Sequence, residues 1–530
     1  MVKITLTSLL IFCSSLYSQF DTLWVRTING TANSYEGSTA SASDNSGNIY
    51  ACGNTVNTGT NSDMQIVKYS PSGVLLWSRT YNGTANAFDA ANAMVIDNAG
   101  NIYVTGGANY TAGFDMVTIK YNPSGDTVWV RRYNGTQNIG DEANCIAIDS
   151  SGNIYVGGYS TNTGNSSDAT VLKYSPAGIL LFAKTFNSGP NQADGCWDIK
   201  VDNFSNIYVA GYAGSTNGGN NFWIMKLNPA GDTLWTKTFN GSSNASDYAK
   251  RIRFDSSGNV YAAGYLSNGG TGTDIFVIKA NSSGVILWTK TFTGPGSDTD
   301  EPYGLEVDNS FNIYIAGRTT VTGANTDILT MKLNPSGDTL WTRKFGGTAG
   351  TNDEPRGLAV DVLGNVYTSG FVMNTNLDMV LLRYSAAGTL TAQYILDKGA
   401  SDNFNSIILN SSNEIIATGT ANNDFAVVKF NQVFTGVNTT QKPVEFALHQ
   451  NYPNPFNPRT NISYSIPVSG RIDILIFDVL GNEIENASKY HSQAGDYDFS
   501  WNAENYPSGV YFYKLKYGKF SETKKMILLK

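Results

Sequence analysis

Along most of the chain, apolar and polar residues alternate in short runs separated by clusters of Gly, Asn, Asp, Ser and Pro. A period of two predicts β-strands, and the three- and four-residue spacings of amphipathic helices do not occur. The runs also recur. A segment of the form D-x-x-G-N-I-Y-V-x-G occurs eight times, its Asn read at Asn48, Asn101, Asn153, Asn206, Asn259, Asn312, Asn365 and Asn413, about 53 residues apart until a shorter last step. A second segment, K-Y-x-P-x-G-x-x-x-W, follows each copy, with its basic residue at Lys68, Lys120, Lys173, Lys226, Lys279, Lys332, Arg383 and Lys429. The aromatic that ends it is Trp77, Trp129, Phe182, Trp235, Trp288, Trp341 or Tyr394, and one more, Trp24, stands alone near the start.

Each unit reads as four strands. In the second copy, strand a is the alternating run Ala93 to Asp97, and a turn with Gly100 at a position that demands positive φ leads into strand b, Ile102 to Thr105. Strand c runs Asp115 to Tyr121, an Asn-Pro-Ser-Gly turn reverses the chain, and strand d carries Trp129 to Tyr133. Two copies have Ser205 and Phe311 in place of the turn glycine, so their turns are expected to differ while the register survives. Four strands in about 53 residues, with no helix, make a propeller blade. The last unit stops after its strand c at Lys429 and Phe430. Residues 21–28, around Trp24, are therefore expected to supply its missing strand and close an all-β, eight-bladed β-propeller. The alternative, an open solenoid, would have no use for a split first repeat.

These units resemble the bacterial β-propeller repeat family of exported proteins and, more loosely, the NHL repeats, over about four fifths of the chain. The G-x-x-x-W spacing, Gly73 to Trp77 and Gly125 to Trp129, is also similar to the tryptophan-docking motif of eight-bladed quinoprotein propellers. That likeness stops at docking geometry: those enzymes need adjacent cysteines and metal ligands, and no Cys-Cys pair exists here. Sialidase propellers place Gly and Trp three apart in an Asp-containing box, whereas here the gap is four.

Beyond Phe434 the texture changes. Thr435 to Lys442 reads as a polar linker, and the closely spaced Pro453, Pro455 and Pro458 impose an extended, turn-rich start on the C-terminal segment. Strand-like runs then come at Asn461 to Ile466, Arg471 to Phe477, Tyr497 to Trp501, Val510 to Lys516 and Met526 to Leu529, the pattern of a small Ig-like β-sandwich. The Gln450-to-Pro458 motif, Phe477 to Asn482, Gly495-Asp496-Tyr497 with Trp501, Ser508 to Tyr511 and the terminal Lys524 to Lys530 closely resemble the type A C-terminal sorting domain of the type IX secretion system. The resemblance implies recognition by an outer-membrane translocon, removal of the domain, and release or attachment to surface lipopolysaccharide. An ordinary carbohydrate-binding sandwich is the alternative.

Composition narrows the class. Charged residues are only 15% of the chain and aromatics 12%, so the chain is folded rather than disordered. A net charge of −8 and a pI near 5.0 argue against nucleic acid as a partner. Lys3, the apolar run Ile4 to Phe12 and the small residues Ser14, Ser15 and Ser18 have the layout of a signal peptide. Cys13 raises a lipoprotein signal, but Phe12 before it is not small. No later stretch is long and apolar enough for a transmembrane segment. Cys52, Cys145 and Cys196 remain, an odd set read as buried small hydrophobes. The chain thus divides into a signal peptide (1–18), a propeller (19–434), a linker (435–442) and a sorting β-sandwich (443–530).

The propeller holds no histidine, since His449 and His491 both lie beyond it. This removes Ser-His-Asp, Cys-His and His-zinc chemistry from it, and no glycine-rich phosphate loop is present. Carboxylates remain. Asp63, Asp115, Asp168, Asp274, Asp327, Asp378 and Asp424 begin most c strands, with Asn221 as the exception. Asp89, Asp141, Asp194, Asp247, Asp300, Asp353 and Asp402 begin most a strands. Both sets belong on one face, where they would suit calcium or sugar hydroxyls, or cap turns by accepting backbone N–H groups. Repetition in nearly every blade favours the turn role. The places that break the repeat are the candidate ligand-binding residues: Trp197 and Asp198; Asp300, Glu301 and Tyr303; and Asp353, Glu354 and Arg356. No catalytic residue and no metal ligand is assigned, and no organic cofactor is expected; calcium is the one ion such loops would suit. The expected function is a secreted or cell-surface propeller that binds glycans or other extracellular polymers, with the type IX translocon as partner of its C-terminal domain. The alternatives are a carbohydrate-active enzyme using acids at the propeller mouth and a passive module of a surface assembly.

Overall fold

The computed structural model describes residues 18–110, 113–162, 166–189, 192–216, 218–270, 272–296, 298–321, 325–347, 351–431, 446–466, 470–491, 495–518 and 520–530. The expected signal peptide, apart from Ser18, and the linker 435–442 lie outside them. Contacts divide the chain into two units, Met1–Gln432 and Val433–Lys530.

The first unit consists of eight sheets, each with four antiparallel strands in the order a-b-c-d, and the seventh carries a fifth strand. In the first sheet these are Gly37–Ser43, Ile49–Asn57, Asn61–Tyr69 and Leu75–Tyr81. The eighth takes a, b and c from Asn403–Leu409, Ile415–Ala421 and Asp424–Asn431, and its fourth strand is Asp21–Ile28, with Trp24 opposite Lys429. Ser18–Gln19 pair in parallel with strand d of the seventh sheet, Leu390–Leu396. Each a strand touches the a strands of the sheets before and after it, and the a strand of the eighth sheet touches that of the first. The chain is therefore a β-propeller whose a strands ring a central axis.

Three local devices explain the repeat. At the a-to-b turn, Asp97 Oδ1 accepts the Ala99 and Asn101 N–H groups while Oδ2 accepts the Asn101 side chain and the Tyr103 hydroxyl. Ser205 (φ 59°) and Phe311 (φ 64°) adopt the same left-handed turn as Gly100 (φ 79°). These two turns therefore do not differ, contrary to expectation. Each is held by the full set of bonds from Asp202 or Asp308, which outweighs the roughly 1–2 kcal/mol cost of left-handed backbone for a residue with a Cβ. In the last copy it is Asn413 that occupies the glycine position (φ 62°), and Glu414 stands where the other copies have Asn.

The second device joins the sheets. Trp77 Nε1 and Lys68 Nζ of the first sheet both donate to Pro123 O in the c-to-d turn of the second. The indole lies so close to Gly125 that a Cβ there would sit 2.7 Å from it. Trp24 and Lys429 of the eighth sheet make the same pair of bonds to Pro71 O of the first, so the clamp that joins consecutive sheets also closes the ring. The lysines of the second segment serve this joint, their ammonium groups lying over buried tyrosines at about 5.0 Å.

The third device is a β-bulge in every a strand, where the register to strand b skips one residue. The repeat's second glycine makes room for it: a Cβ on Gly158 would lie 1.9 Å from Glu142 O, and one on Gly264 1.8 Å from Tyr248 O.

The second unit has a three-stranded sheet (Ala447–Leu448, Arg459–Ile466, Gly495–Asn502) and a four-stranded one in the order Glu483–His491, Gly470–Phe477, Gly509–Tyr517, Phe520–Leu528. One core unites them, with Ile462, Tyr464 and Trp501 from the first and Ile474, Tyr513 and Met526 from the second. The proline-rich motif anchors the last strand: Gln450 Nε2 donates to Lys525 O, Asn454 Oδ1 accepts Ile527 N–H, and Phe456 N–H donates to Ile527 O.

Candidate functional site

The carboxylate just before each a strand is a clasp. Asp89 accepts Gly83 N–H and Asn109 N–H, both at 2.6 Å, tying the segment after one sheet's strand d to the end of strand b of the next. Asp141, Asp194, Asp247 and Asp402 repeat the arrangement, and Glu36 supplies it in the first sheet. Asp300 holds Gly294 N–H and Thr320 N–H, and Asp353 holds Gly347 N–H and Met373 N–H. Both are buried in this turn role, so neither reaches the mouth as the sequence reading expected. Burial pushes the carboxyls of Asp89, Asp141, Asp247 and Asp353 upward, and the two N–H bonds offset part of that rise.

The residues that face the axis are the bulged ones: Thr39, Asn92, Asn144, Trp197, Lys250, Tyr303, Arg356 and Asn405. They fall into two halves. Thr39 donates to Ala91 O, Asn92 to Ala143 O, Asn144 to Cys196 O and Asn405 to Ser38 O. Each thus sews itself to the main chain just before the next bulge. Among the described residues Trp197, Lys250, Tyr303 and Arg356 make no such bond, and they occupy four consecutive sheets.

These four, with Asn92 and Asn144, line a cavity of about 1040 Å³ that is completed by Glu142, Tyr159, Tyr212, Arg251, Arg318 and Glu354, among others. Trp197 is 37% exposed. Its ring meets Tyr212 at 6.4 Å, and Tyr212 packs on Tyr248 at 5.0 Å. Lys250 Nζ lies 4.8 Å from the Trp197 ring centre, 5.2 Å from Tyr248 and 5.6 Å from Tyr265. Burial lowers its ammonium pKa. Opposite, Arg318 bonds Glu301 at 3.1 Å and approaches Glu354 at 3.5 Å, and Arg356 bonds Glu354 at 3.0 Å. Burial and the neighbouring Glu354 raise the Tyr303 phenol. Glu142 accepts the Tyr159 hydroxyl and the Asn92 amide.

Of the sequence-read candidates, the cavity gathers Trp197, Tyr303, Glu354 and Arg356 in its wall, with Glu301 behind Arg318. Asp198 does not join them. It follows the bulge, points the other way, and bonds Arg253 at 2.9 Å and Ile252 N–H at 3.0 Å. Burial would raise its carboxyl, but Lys200, Arg253 and Arg251 outweigh that and hold it below the usual range. Lys250, Arg251, Arg318, Tyr159 and Tyr212 escaped the sequence reading. The signal for Lys250 was the same column that yields Trp197, Tyr303 and Arg356. A smaller cavity of about 360 Å³, under Phe186 and Trp223, has Asp194 as its one charged lining residue, and Asp194 is committed to its clasp.

Two further groupings were invisible in sequence. Cys145 and Cys196 lie in neighbouring a strands with their sulfurs 3.5 Å apart, both buried beside Gly157. Where the seventh sheet meets the start of the eighth, one carboxylate oxygen each from Asp378, Asp397 and Asp402 lie within 4.8 Å of one another. Asp397 stands where Asn82, Asn134, Asn187 and Asn240 stand in other copies.

Residues 450–529 match the secretion system C-terminal sorting domain, and residues 128–164 and 340–370 match the β-propeller repeat family. The chain is a β-propeller repeat protein with a type IX sorting domain, and hence a secreted or cell-surface protein. It is 27% identical over 212 residues to an uncharacterized WD repeat-containing protein of Acanthamoeba polyphaga mimivirus (30% of this chain, 15% of that one). It is 31% identical over 114 residues to the regulatory protein FlaEY of Caulobacter vibrioides (19% and 12%). The matches therefore span less than a sixth of either relative's length. Among solved structures, a quinohemoprotein alcohol dehydrogenase of Pseudomonas putida aligns with TM-score 0.47 and 10% identity over 78% of each chain. The periplasmic gluconolactonase of Pseudomonas aeruginosa aligns with TM-score 0.40 and 12% identity, covering 70% of this chain and 98% of that one. Among the described residues no helix is long and apolar enough to cross a membrane.

Proposed function

We propose that the propeller is a non-catalytic binding module that takes a glycan at its axial mouth. The observation that carries this reading is the divided bulge ring. Half of it is bonded to the scaffold, and the half left over presents Trp197, Lys250, Tyr303 and Arg356 around one cavity. An exposed indole, with tyrosines packed tilted and edge-on behind it, offers a flat apolar face, and the surrounding amides and charged groups offer hydrogen bonds, the mixture a sugar ring requires. The sorting domain supports the reading, because a module sent outside the cell meets extracellular polymers. The ion pairs support binding over glycosidic cleavage: Glu301 and Glu354 are both engaged by Arg318, whereas a glycosidase needs one carboxyl free to give a proton. The test is a glycan array probed with the full chain, followed by titration of any hit against Trp197→Ala. Binding that falls at least tenfold in the variant, with an unchanged melting temperature, is expected. Absence of binding to every polymer, or indifference to Trp197, overturns the reading.

A further inference from the structure

The charge of the mouth runs against the charge of the protein. The whole chain carries a net charge of −8. The eight bulged residues that face the axis include two cations, Lys250 and Arg356, and no acid. The acids in the cavity wall are already used: Glu354 pairs with Arg356 and Arg318, and Glu142 accepts Tyr159 and Asn92. Two cations in the same wall, Lys250 and Arg251, make no such ion pair, although Asp198 acts on Arg251 through space and Glu301 and Glu354 act on Lys250. Among the described residues no carboxylate lies within ion-pair distance of Lys250 Nζ or of the Arg251 guanidinium. Among the described residues Lys250 Nζ makes no hydrogen bond, and Arg251 makes one, from Nη1 to Lys250 O at 2.9 Å. Between them, among the described residues, the wall keeps an ammonium and guanidinium N–H groups that no carboxylate bonds directly. Three aromatic rings hold the Lys250 ammonium in place without neutralising it, because a ring face attracts a cation but accepts no proton-bearing bond of carboxylate strength.

We infer that the mouth selects an acidic glycan, with Lys250 and Arg251 taking its anionic group, a uronate carboxylate or a sulfate ester, while Trp197 stacks on the adjoining sugar. This rests on the glycan reading above and adds the class of glycan. A cation that is partly desolvated and unpaired in the free protein gains more from an incoming anion than an exposed surface lysine, and a groove of that sign raises the local concentration of an acidic polymer. Burial is the main cause of the lowered Lys250 pKa, and Glu301 and Glu354, which act to raise it, offset only part of the fall.

The experiment measures affinity of the full chain for size-matched polymers in four arms: polygalacturonate, its fully methyl-esterified neutral form, dextran sulfate and dextran. It is run on the natural protein, Lys250→Met and Arg251→Gln. The expected result is at least a tenfold preference for one acidic polymer over its neutral counterpart, reduced about tenfold or more in K250M, the size of one lost charge-assisted bond. Which acidic arm binds names the anion. A thermal melt of each variant shows that it is folded, and R251Q serves if K250M is not. Neutral and acidic polymers bound alike would overturn the inference and leave the glycan reading standing. An acidic preference that survives in both folded variants would remove it from this site. Binding to none of these polymers, in a protein that also fails on the array, would overturn both.

Discussion

Replacing Trp24 by Ala tests whether the ring is closed by the same joint that holds its sheets together. Trp24 is 8% exposed, donates Nε1–H to Pro71 O at 3.1 Å, and packs over Gly73 with Arg26 above its ring at 5.5 Å. Trp129, inside the array, has the same surroundings: 6% exposed, a bond to Pro176 O at 3.2 Å, Gly178 beneath and Arg131 above at 5.4 Å. Truncating a buried tryptophan to alanine costs about 3–5 kcal/mol, of which the lost hydrogen bond is about 1 kcal/mol. A unit of about 400 residues unfolds with an entropy of about 0.8 kcal/mol/K, so each substitution should lower Tm by about 4–6 °C. The assay is a thermal melt of both variants followed by far-ultraviolet circular dichroism. In a closed ring the two losses are equal within about a degree or two. In an open array Trp24 would belong to a terminal strand able to fray alone, and W24A would leave the main transition in place. A Tm loss for W24A below about a third of that for W129A would refute closure.

Other outcomes follow from the clasps and turns. Asp141→Ala should destabilise the propeller by about 2–5 kcal/mol, because it strands the Gly135 and Thr161 N–H groups, whereas Asp300→Asn should change stability but not glycan affinity, as read by melts and titration together. The turn carboxylates Asp44, Asp149 and Asp308 are held below the usual range because, although burial acts to raise them, bonds from Asn and Tyr outweigh it. Their stabilisation is therefore present above the unfolded value of about 3.9 and is lost as pH falls through the lower folded one, so Asp149→Asn should flatten the acid limb of a Tm-against-pH curve. The buried clasps have the opposite sign: the raised carboxyl of Asp141 stabilises most below about 3.9 and loses that contribution as pH rises through the folded value, so Asp141→Asn should flatten the curve on that side. Asp397→Asn removes one of three clustered carboxylates and should raise Tm slightly in the presence of a chelator; a fall would show that the charge is needed.

The fold was legible because its determinants are local and repeated. The turn aspartates, the Gly-x-x-x-Trp spacing and the stray Trp24 each act over a few residues or recur along the chain, so counting them locates the four strands of each repeat and the closing strand, though not Ser18–Gln19 or, in the second unit, Glu483–His491. Where local reading failed, a side-chain network overruled propensity: Ser205 and Phe311 accept left-handed backbone because four bonds from one aspartate hold the turn. Asn413 sits one position away from its expected place because Asn in the left-handed turn position looks the same in sequence as Asn after it.

The site divides along the same line. Sequence alone marked Trp197, Tyr303, Glu354 and Arg356 as departures from the repeat, and they do meet in one cavity. It grouped with them Asp198, Asp300 and Asp353, which sit one or a few residues away and point elsewhere, because neighbours along a strand face opposite sides and a bulge shifts that alternation by one. Only the tertiary structure separates the bulged column from its neighbours, brings Lys250 over Trp197 from the next sheet, and shows which charges in the wall already have partners. Those are relations between residues of neighbouring copies, 53 positions apart for Lys250 and Trp197 and 36 for Arg318 and Glu354, set by how one sheet packs on the next, and no single copy of the repeat contains them.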